Sequence, residues 1–342
     1  MKCYLLFAIA LNIQRADSLL TFHRPVVKRQ SVRLNVGISH IPPTKYDGST
    51  VPDRTGKAAS KNLSAFERAW RKYGMIAYIA HMCVAIPVSL IPTLVKAKFQ
   101  LAPKAEIEHE ALRVGQACAR NLLSLIPFMN LKVIPYVSDE PTPTIWVSNH
   151  VSMLDTFVFL AADETLRGKN RRPIKVIYWK GLDANPICRI LFSMAGFIPV
   201  DMEDNGNGNP NEYHPKSFKQ MMKSTKQAIT EGFDVLVLPE GQLNPRPEEG
   251  LQPIFPGAFA LAKSSHRPIQ LVALHGCHNM WHADENIGMK VVSRDVTIKA
   301  YPPLKNCETY EDFREAFTEV VGSFGSSGYD IPDDELRKWM DL

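Results

Sequence analysis

The 342-residue chain is 45% hydrophobic, enough for one large core, and carries 40 Lys and Arg against 35 Asp and Glu. The resulting net charge of +5 is mild and comes without an aromatic-basic repeat, which argues against nucleic acid and suits an anionic membrane surface. Cys3, Cys83, Cys118, Cys188, Cys277 and Cys307 form no CxxC pair and no zinc-like spacing with histidine, so they read as free thiols in a reducing compartment.

Met1-Lys2, the apolar run Cys3–Leu11 and the small residues Ala16-Asp17-Ser18 make a secretory signal peptide. Residues 21–61 then hold eight Lys and Arg against Asp47 and Asp53, with frequent Ser, Thr and Pro. Such a segment resembles a transit peptide, and the two in series, with Phe22 near the junction, resemble the bipartite leader of complex plastids. The expectation is a plastid membrane, with the endoplasmic reticulum membrane as the alternative.

Gly74–Val95 contains no Asp, Glu, Lys or Arg and is flanked by Arg71-Lys72 and by Lys96 and Lys98. It is long enough to cross a hydrocarbon core, although Pro87 and Pro92 argue against a plain spanning helix. Ala111–Phe128 reads as an amphipathic helix with Arg113 and Arg120 on its polar side. The readings are a transmembrane helix, a helical hairpin dipping into one leaflet and, against the basic flanks, a buried core helix of a soluble protein. From residue 130 strands alternate with helices. Val133–Val137, Thr144–Val147, Ile174–Trp179, Phe197–Val200, Val235–Leu238, Ile269–Leu274 and part of Val291–Ala300 read as strands. Asp155–Asp163, Asn185–Ala195, Pro215–Glu231 and Ala258–Ser264 read as helices, with Gly232 stopping the third. Turn formers make 205–210 a loop. The pattern predicts an α/β domain, a mixed sheet with helices on both faces, preceded by a membrane-associated helical segment.

Two motifs fall where strands should stop. Asn149-His150-Val151-Ser152-Met153-Leu154-Asp155 follows the first buried run, and Pro239-Glu240-Gly241 follows Val235–Leu238. An alcohol attacks a thioester slowly because its proton must leave as the bond forms. A neutral imidazole takes that proton, and a carboxylate holds its tautomer and stabilises the imidazolium. His150 and Asp155, five residues apart on a turn entering a helix, can make such a pair. A loop histidine beside a capping carboxylate would show the same spacing.

These motifs resemble those of the glycerolipid acyltransferases, most closely the branch acting on lysophosphatidic acid. The resemblance includes Gly196-Phe197-Ile198-Pro199-Val200-Asp201 and Pro268–Leu274, and runs from about residue 65 to 305. It implies His150 as general base, Asp155 as its orienting partner, no covalent acyl-enzyme and no metal or cofactor. It implies substrate binding by Glu240 and Gly241. The family often has other residues where this chain has Met202, Gln242-Leu243 and Phe255, cations among them, and Lys180 and Arg246 are the candidates to bind substrate in their place. The expected partners are membrane lipid, lysophosphatidic acid and a thioester of acyl carrier protein or coenzyme A, with no nucleic acid. The divisions are a signal peptide (1–20), a basic linker (21–61), membrane-associated helices (62–130), the acyltransferase domain (131–305) and a helical tail (306–342). The altered cation positions keep open a different lysophospholipid acceptor, or an inert lipid-binding protein of the same fold. His275, His278 and His282 mimic a metal-ligand spacing, but Gly276 and Asn279 favour a loop.

Overall fold

The computed structural model describes residues 65–126, 129–138, 142, 144–203, 212–213, 215–283, 295–305 and 307–342. The expected leader and the loop at 205–210 lie outside the described residues. The chain enters through α1 (Ala65–Ala80), a π-helical turn (His81–Ala85) and α2 (Ile86–Lys98). The π turn falls just before Pro87, whose ring excludes the carbonyl four residues back and whose missing N–H breaks the regular ladder. Lys72–Lys98 is long and apolar enough to cross a membrane, and only 28% of its most apolar window is covered by the rest of the protein. A turn with Gln100 at φ 52° reverses the chain into α3 (Lys104–Ser124).

α3 is amphipathic as expected. Arg113 and Arg120 are exposed, while Ala111, Leu112, Cys118, Ala119 and Leu122 are buried. It starts seven residues before the expected Ala111, because a charged first turn hides the start of its period. Its inner residues Leu112, Ala119 and Leu123 share a core with the sheet, so packing joins α3 to the α/β body.

The body follows as β1 (Asn130–Ile134), β2 (Ile145–Ser148), α4 (Asp155–Arg167), β3 (Ile174–Trp179), α5 (Pro186–Met194), β4 (Ile198–Val200), β5 (Met202–Glu203), β6 (Glu212–Tyr213), α6 (Pro215–Thr230), β7 (Asp234–Val237), α7 (Gly257–Ser265), β8 (Ile269–His275), α8 (Cys277–Met280) and β9 (Asp295–Pro303). Asn185 caps α5 by accepting from Ile187 N–H at 3.0 Å. Gly232 follows α6 at φ 94°. β1 lies three residues earlier than predicted, because Asn130–Ile134 pairs in register with Asp295–Lys299.

The main sheet runs β1-β9-β8-β2-β7-β3-β4, with β5 and β6 forming a separate pair. β8, β2, β7, β3 and β4 are mutually parallel, while β9 is antiparallel to β8 and parallel to β1. All four residues of β2 and of β7 are buried, as expected of central parallel strands covered on both faces. Trp146, Val176, Leu236 and Val272 face α3 and α4. Ile145, Val147, Val235, Val237 and Leu271 face α6, α7 and the tail. That tail comprises α9 (Tyr310–Ala316), α10 (Ser323–Ser327) and α11 (Asp333–Trp339). It buries Phe313, Phe317, Phe324 and Trp339 on the second core.

Because five strands run the same way, their carboxyl ends open on one edge. β2 delivers His150 there, β7 delivers Glu240, β3 delivers Lys180 and β8 delivers Cys277. This edge of a parallel sheet is where α/β folds place their ligands.

Candidate active site

The residues after β2 turn sharply into α4, and Asp155 is the first residue of that helix. Its Oδ2 accepts from Val151 N–H at 2.6 Å and from Ser152 N–H at 2.8 Å, closing the turn. The same oxygen lies 3.0 Å from His150 Nδ1. With the proton on Nδ1, Nε2 presents its lone pair outward. The His150 side chain keeps 21% of its exposure and Asp155 keeps 2%. The imidazole therefore reaches solvent and its carboxylate partner does not.

Three further groups hold the turn. Asn149 sends its amide across to β8, donating to Leu274 C=O and accepting from Leu274 N–H, both at 2.8 Å. Ser152 Oγ donates to Trp281 C=O at 2.8 Å. Cys277, fully buried, lies against Asp155. Burial first, and then that carboxylate, push its thiol well above the usual range, so it stays protonated. Asp155 Oδ1 is buried without a hydrogen-bond partner.

Glu240, expected to bind an acceptor, lies against the His150 backbone. It is fully buried. One oxygen accepts from His150 N–H at 2.8 Å, and the other accepts from Gln252 N–H at 2.8 Å and from the Asn244 amide at 3.3 Å. All three donors are N–H groups, of His150, Gln252 and Asn244, and the carboxylate serves as a brace under the histidine. Burial pushes its pKa up to about 7, against the pull of the Gln252 and His150 N–H groups. Asn244 completes the brace, since its own N–H donates to His150 C=O at 2.7 Å. Gly241 makes the turn out of β7 at φ 67°, a left-handed conformation that glycine adopts without strain.

The two predicted cations sit at the rim. Lys180 follows β3 with its side chain 57% exposed and Nζ 3.8 Å from Asp201. Arg246, 60% exposed, lies 3.3 Å from Glu249. The structure thus gathers His150, Asp155, Glu240 and Gly241 tightly and leaves Lys180 and Arg246 at the surface. Sequence reasoning missed Asn244, Gln252 and Cys277. Their partners lie up to 122 residues away in the chain, and only the strand-end position of Cys277 hints at its place.

Of the three histidines after β8, His275 Nδ1 bonds Gly325 C=O at 2.9 Å and His282 Nε2 bonds Pro245 C=O at 2.9 Å. Burial and these two neighbours lower His278 to about 4, so it is neutral near pH 7. No group of three potential metal ligands occurs among the described residues.

A family model described as Acyltransferase matches residues 132–275, the stretch that contains this turn and its brace. Over that stretch the chain resembles the acyltransferases. The chain is 26% identical over 157 residues to the chloroplastic 1-acyl-sn-glycerol-3-phosphate acyltransferase BAT2 of Brassica napus, covering 45% of this chain and 40% of the relative. It is also 26% identical over 181 residues to the 1-acyl-sn-glycerol-3-phosphate acyltransferase of Limnanthes douglasii, covering 52% and 56%. The chain thus spans 40% to 56% of the length of these curated relatives. Its fold is similar to that of the 1-acyl-sn-glycerophosphate acyltransferase PlsC from Thermotoga maritima. The TM-score is 0.53 at 13% identity, covering 75% of this chain and 95% of the other.

Proposed function

We propose that this acyltransferase moves a fatty acyl chain from a thioester of acyl carrier protein or coenzyme A to the free hydroxyl of 1-acyl-sn-glycerol 3-phosphate, giving phosphatidic acid. The observation that carries the reading is the 3.0 Å contact between His150 and Asp155 at the open edge of the sheet. The acceptor hydroxyl gives its proton to Nε2 as its oxygen bonds the thioester carbon. Asp155 stabilises the imidazolium. The tetrahedral intermediate collapses, the carbon–sulfur bond breaks, and the imidazolium returns the proton to the departing sulfur. This route needs neither an acyl-enzyme nor a metal. Glu240 and Asn244 act by holding the His150 backbone.

The acceptor assignment draws on the activity named for the relatives, and the plastid membrane on the chloroplastic relative BAT2 together with the leader composition. The weakly covered helix Lys72–Lys98, with basic residues at both ends, is read as the membrane-seeking element. A second reading, a lysophospholipid with a larger head group, is favoured by one observation. Lys180 and Arg246 each stand beside an acid, Asp201 and Glu249, which offsets the charge a phosphomonoester needs.

The test is thiol release in mixed micelles by the protein without residues 1–60, offered lysophosphatidic acid and a panel of lysophospholipids, beside His150→Ala. Acceptor-dependent release that disappears in the variant is expected, and the acceptor that works decides between the readings. Equal inactivity of both proteins with every acceptor and both donors, while lysolipid still binds, would make this a lipid-binding protein.

A further inference from the structure

We infer that the exposed face of α6 is the docking surface for an acidic helical protein that carries the acyl group as a thioester on a flexible arm. The inference rests on the acyltransferase reading and deepens it by choosing between the two donors.

Lys216, Lys219, Lys223 and Lys226 follow one another at intervals of three, four and three, which places them along one face of α6. All four are exposed, while Met221, Thr225, Ala228 and Ile229 on the other side are buried. α6 contains no Asp or Glu. Like charges three and four residues apart destabilise a helix, and an ordinary solvated face interleaves acids to relieve this. Elsewhere the surface does so, pairing Lys96 with Glu110, Lys263 with Glu308, Lys305 with Asp341 and Lys338 with Glu315 at 2.6 to 2.9 Å. Lys219, Lys223 and Lys226 are paired with no acid among the described residues. A local rule broken without a structural return points to a function.

The stripe also lies in the right place. The first turn of α6 is tied to the end of β4, where Asp201 N–H donates to Ser217 Oγ at 2.7 Å. β4 stands three strands from β2, so its exit is roughly 14 Å from the exit that carries His150. The row starts at the catalytic edge, with Lys180 between, and runs back along the sheet for about 15 Å. A nucleotide-linked thioester needs a compact anion site. A row of this length matches a helix of opposite charge, and the gap to His150 is one that a flexible arm crosses.

A bilayer fits this face less well. Met82, Ile86 and Leu90 of the α1–α2 segment pack with Ala111 of α3 and Leu191 of α5. α6 packs with Ile198, Val235 and Val237 on the other side of the sheet. The membrane-seeking helix and the lysine row therefore address different directions.

The experiment uses the full chain, one acyl chain presented as a thioester of acyl carrier protein or of coenzyme A, and the triple variant Lys219→Glu/Lys223→Glu/Lys226→Glu. The matching Lys→Gln triple and a thermal melt guard against misfolding. The KM for the carrier-protein thioester should rise about tenfold or more in the Glu triple and by less in the Gln triple, with kcat/KM for acyl-coenzyme A within about twofold. Added NaCl should raise the carrier-protein KM of the wild type and barely move that of the variant. An unchanged carrier-protein KM, an equal loss with both donors, or a wild type that accepts acyl-coenzyme A alone overturns the inference. So does a Glu triple whose only defect is lost binding to vesicles of anionic phospholipid. A wild type that transfers from neither donor overturns the parent reading instead.

Discussion

The two ends of the sheet handle buried carboxylates in opposite ways. At the amino-terminal end, Asp234 accepts from Thr144 N–H at 3.0 Å, from the Trp146 indole at 3.2 Å and from Arg167 at 2.8 Å. Asp163 accepts from Arg167 at 2.6 Å, from Gln116 at 2.7 Å and from Arg171. The guanidinium of Arg167 lies 5.0 Å from the Trp146 ring centre. Burial pushes Asp234 upward and Arg167 opposes it. At the carboxyl end, Asp155 and Glu240 are buried with no Lys or Arg paired to either among the described residues. Backbone N–H groups and one histidine hold them. α4 joins the two, with Asp155 at its start and Asp163 and Arg167 near its end. Permanent charge locks the end that only has to hold. Uncharged donors and a titratable ring occupy the end where the proposed proton transfer takes place, and a guanidinium there would compete for the carboxylate bonded to His150.

That contrast can be broken at either end. His150→Ala should give the largest effect, lowering kcat roughly 10²- to 10⁴-fold with little change in melting, measured by thiol release beside a thermal scan. Arg167→Ala should do the reverse. Leaving Asp163 and Asp234 buried and short of a partner should cost about 3–5 kcal/mol of stability, while activity per folded molecule stays close to wild type. Denaturant titration checks it, and a loss no larger than that of an exposed Arg→Ala would dissolve the contrast.

Glu240→Gln sharpens the comparison, because it sets an amide N–H against a backbone N–H of His150 or Gln252. A loss of about 1–3 kcal/mol and a drop in kcat from a loosened His150 are expected. It also changes the pH dependence. A carboxyl raised from 4.5 to about 7 binds its proton more tightly when folded. Its contribution to stability is therefore full below pH 4.5 and is lost as pH rises through about 7. Wild type should lose stability over that window relative to Glu240→Gln, and parallel stability curves would remove this role. Cys277→Ala should be the smallest change, about 1 kcal/mol for the lost sulfur. Cys277→Ser tests whether a stronger donor beside Asp155 shifts the acid limb of the rate profile, which a purely space-filling thiol would leave in place.

Much of this was legible because the signals are local. The apolar run Ile174–Trp179 is a strand to the residue, and Asn185-Pro186 marks the start of α5. The five-residue spacing of His150 and Asp155 fits the turn that brings them together. The start of β1 was not legible, since Val133–Val137 is the more apolar run and only the register of Asn130–Ile134 against β9 moves the strand earlier. Nor was the role of Glu240, whose partner His150 is 90 residues distant.

Amphipathic period, strand runs, turn residues and the His150–Asp155 spacing were determined by the sequence alone, because each depends on neighbours within a few residues whose geometry the backbone dictates. Tertiary structure decided that Glu240 braces the His150 backbone, that Asn149 clamps β8, and that Arg167 joins Asp163 to Asp234. Those choices depend on which groups lose water together when distant segments pack, and a buried polar atom takes whatever partner the fold brings within reach.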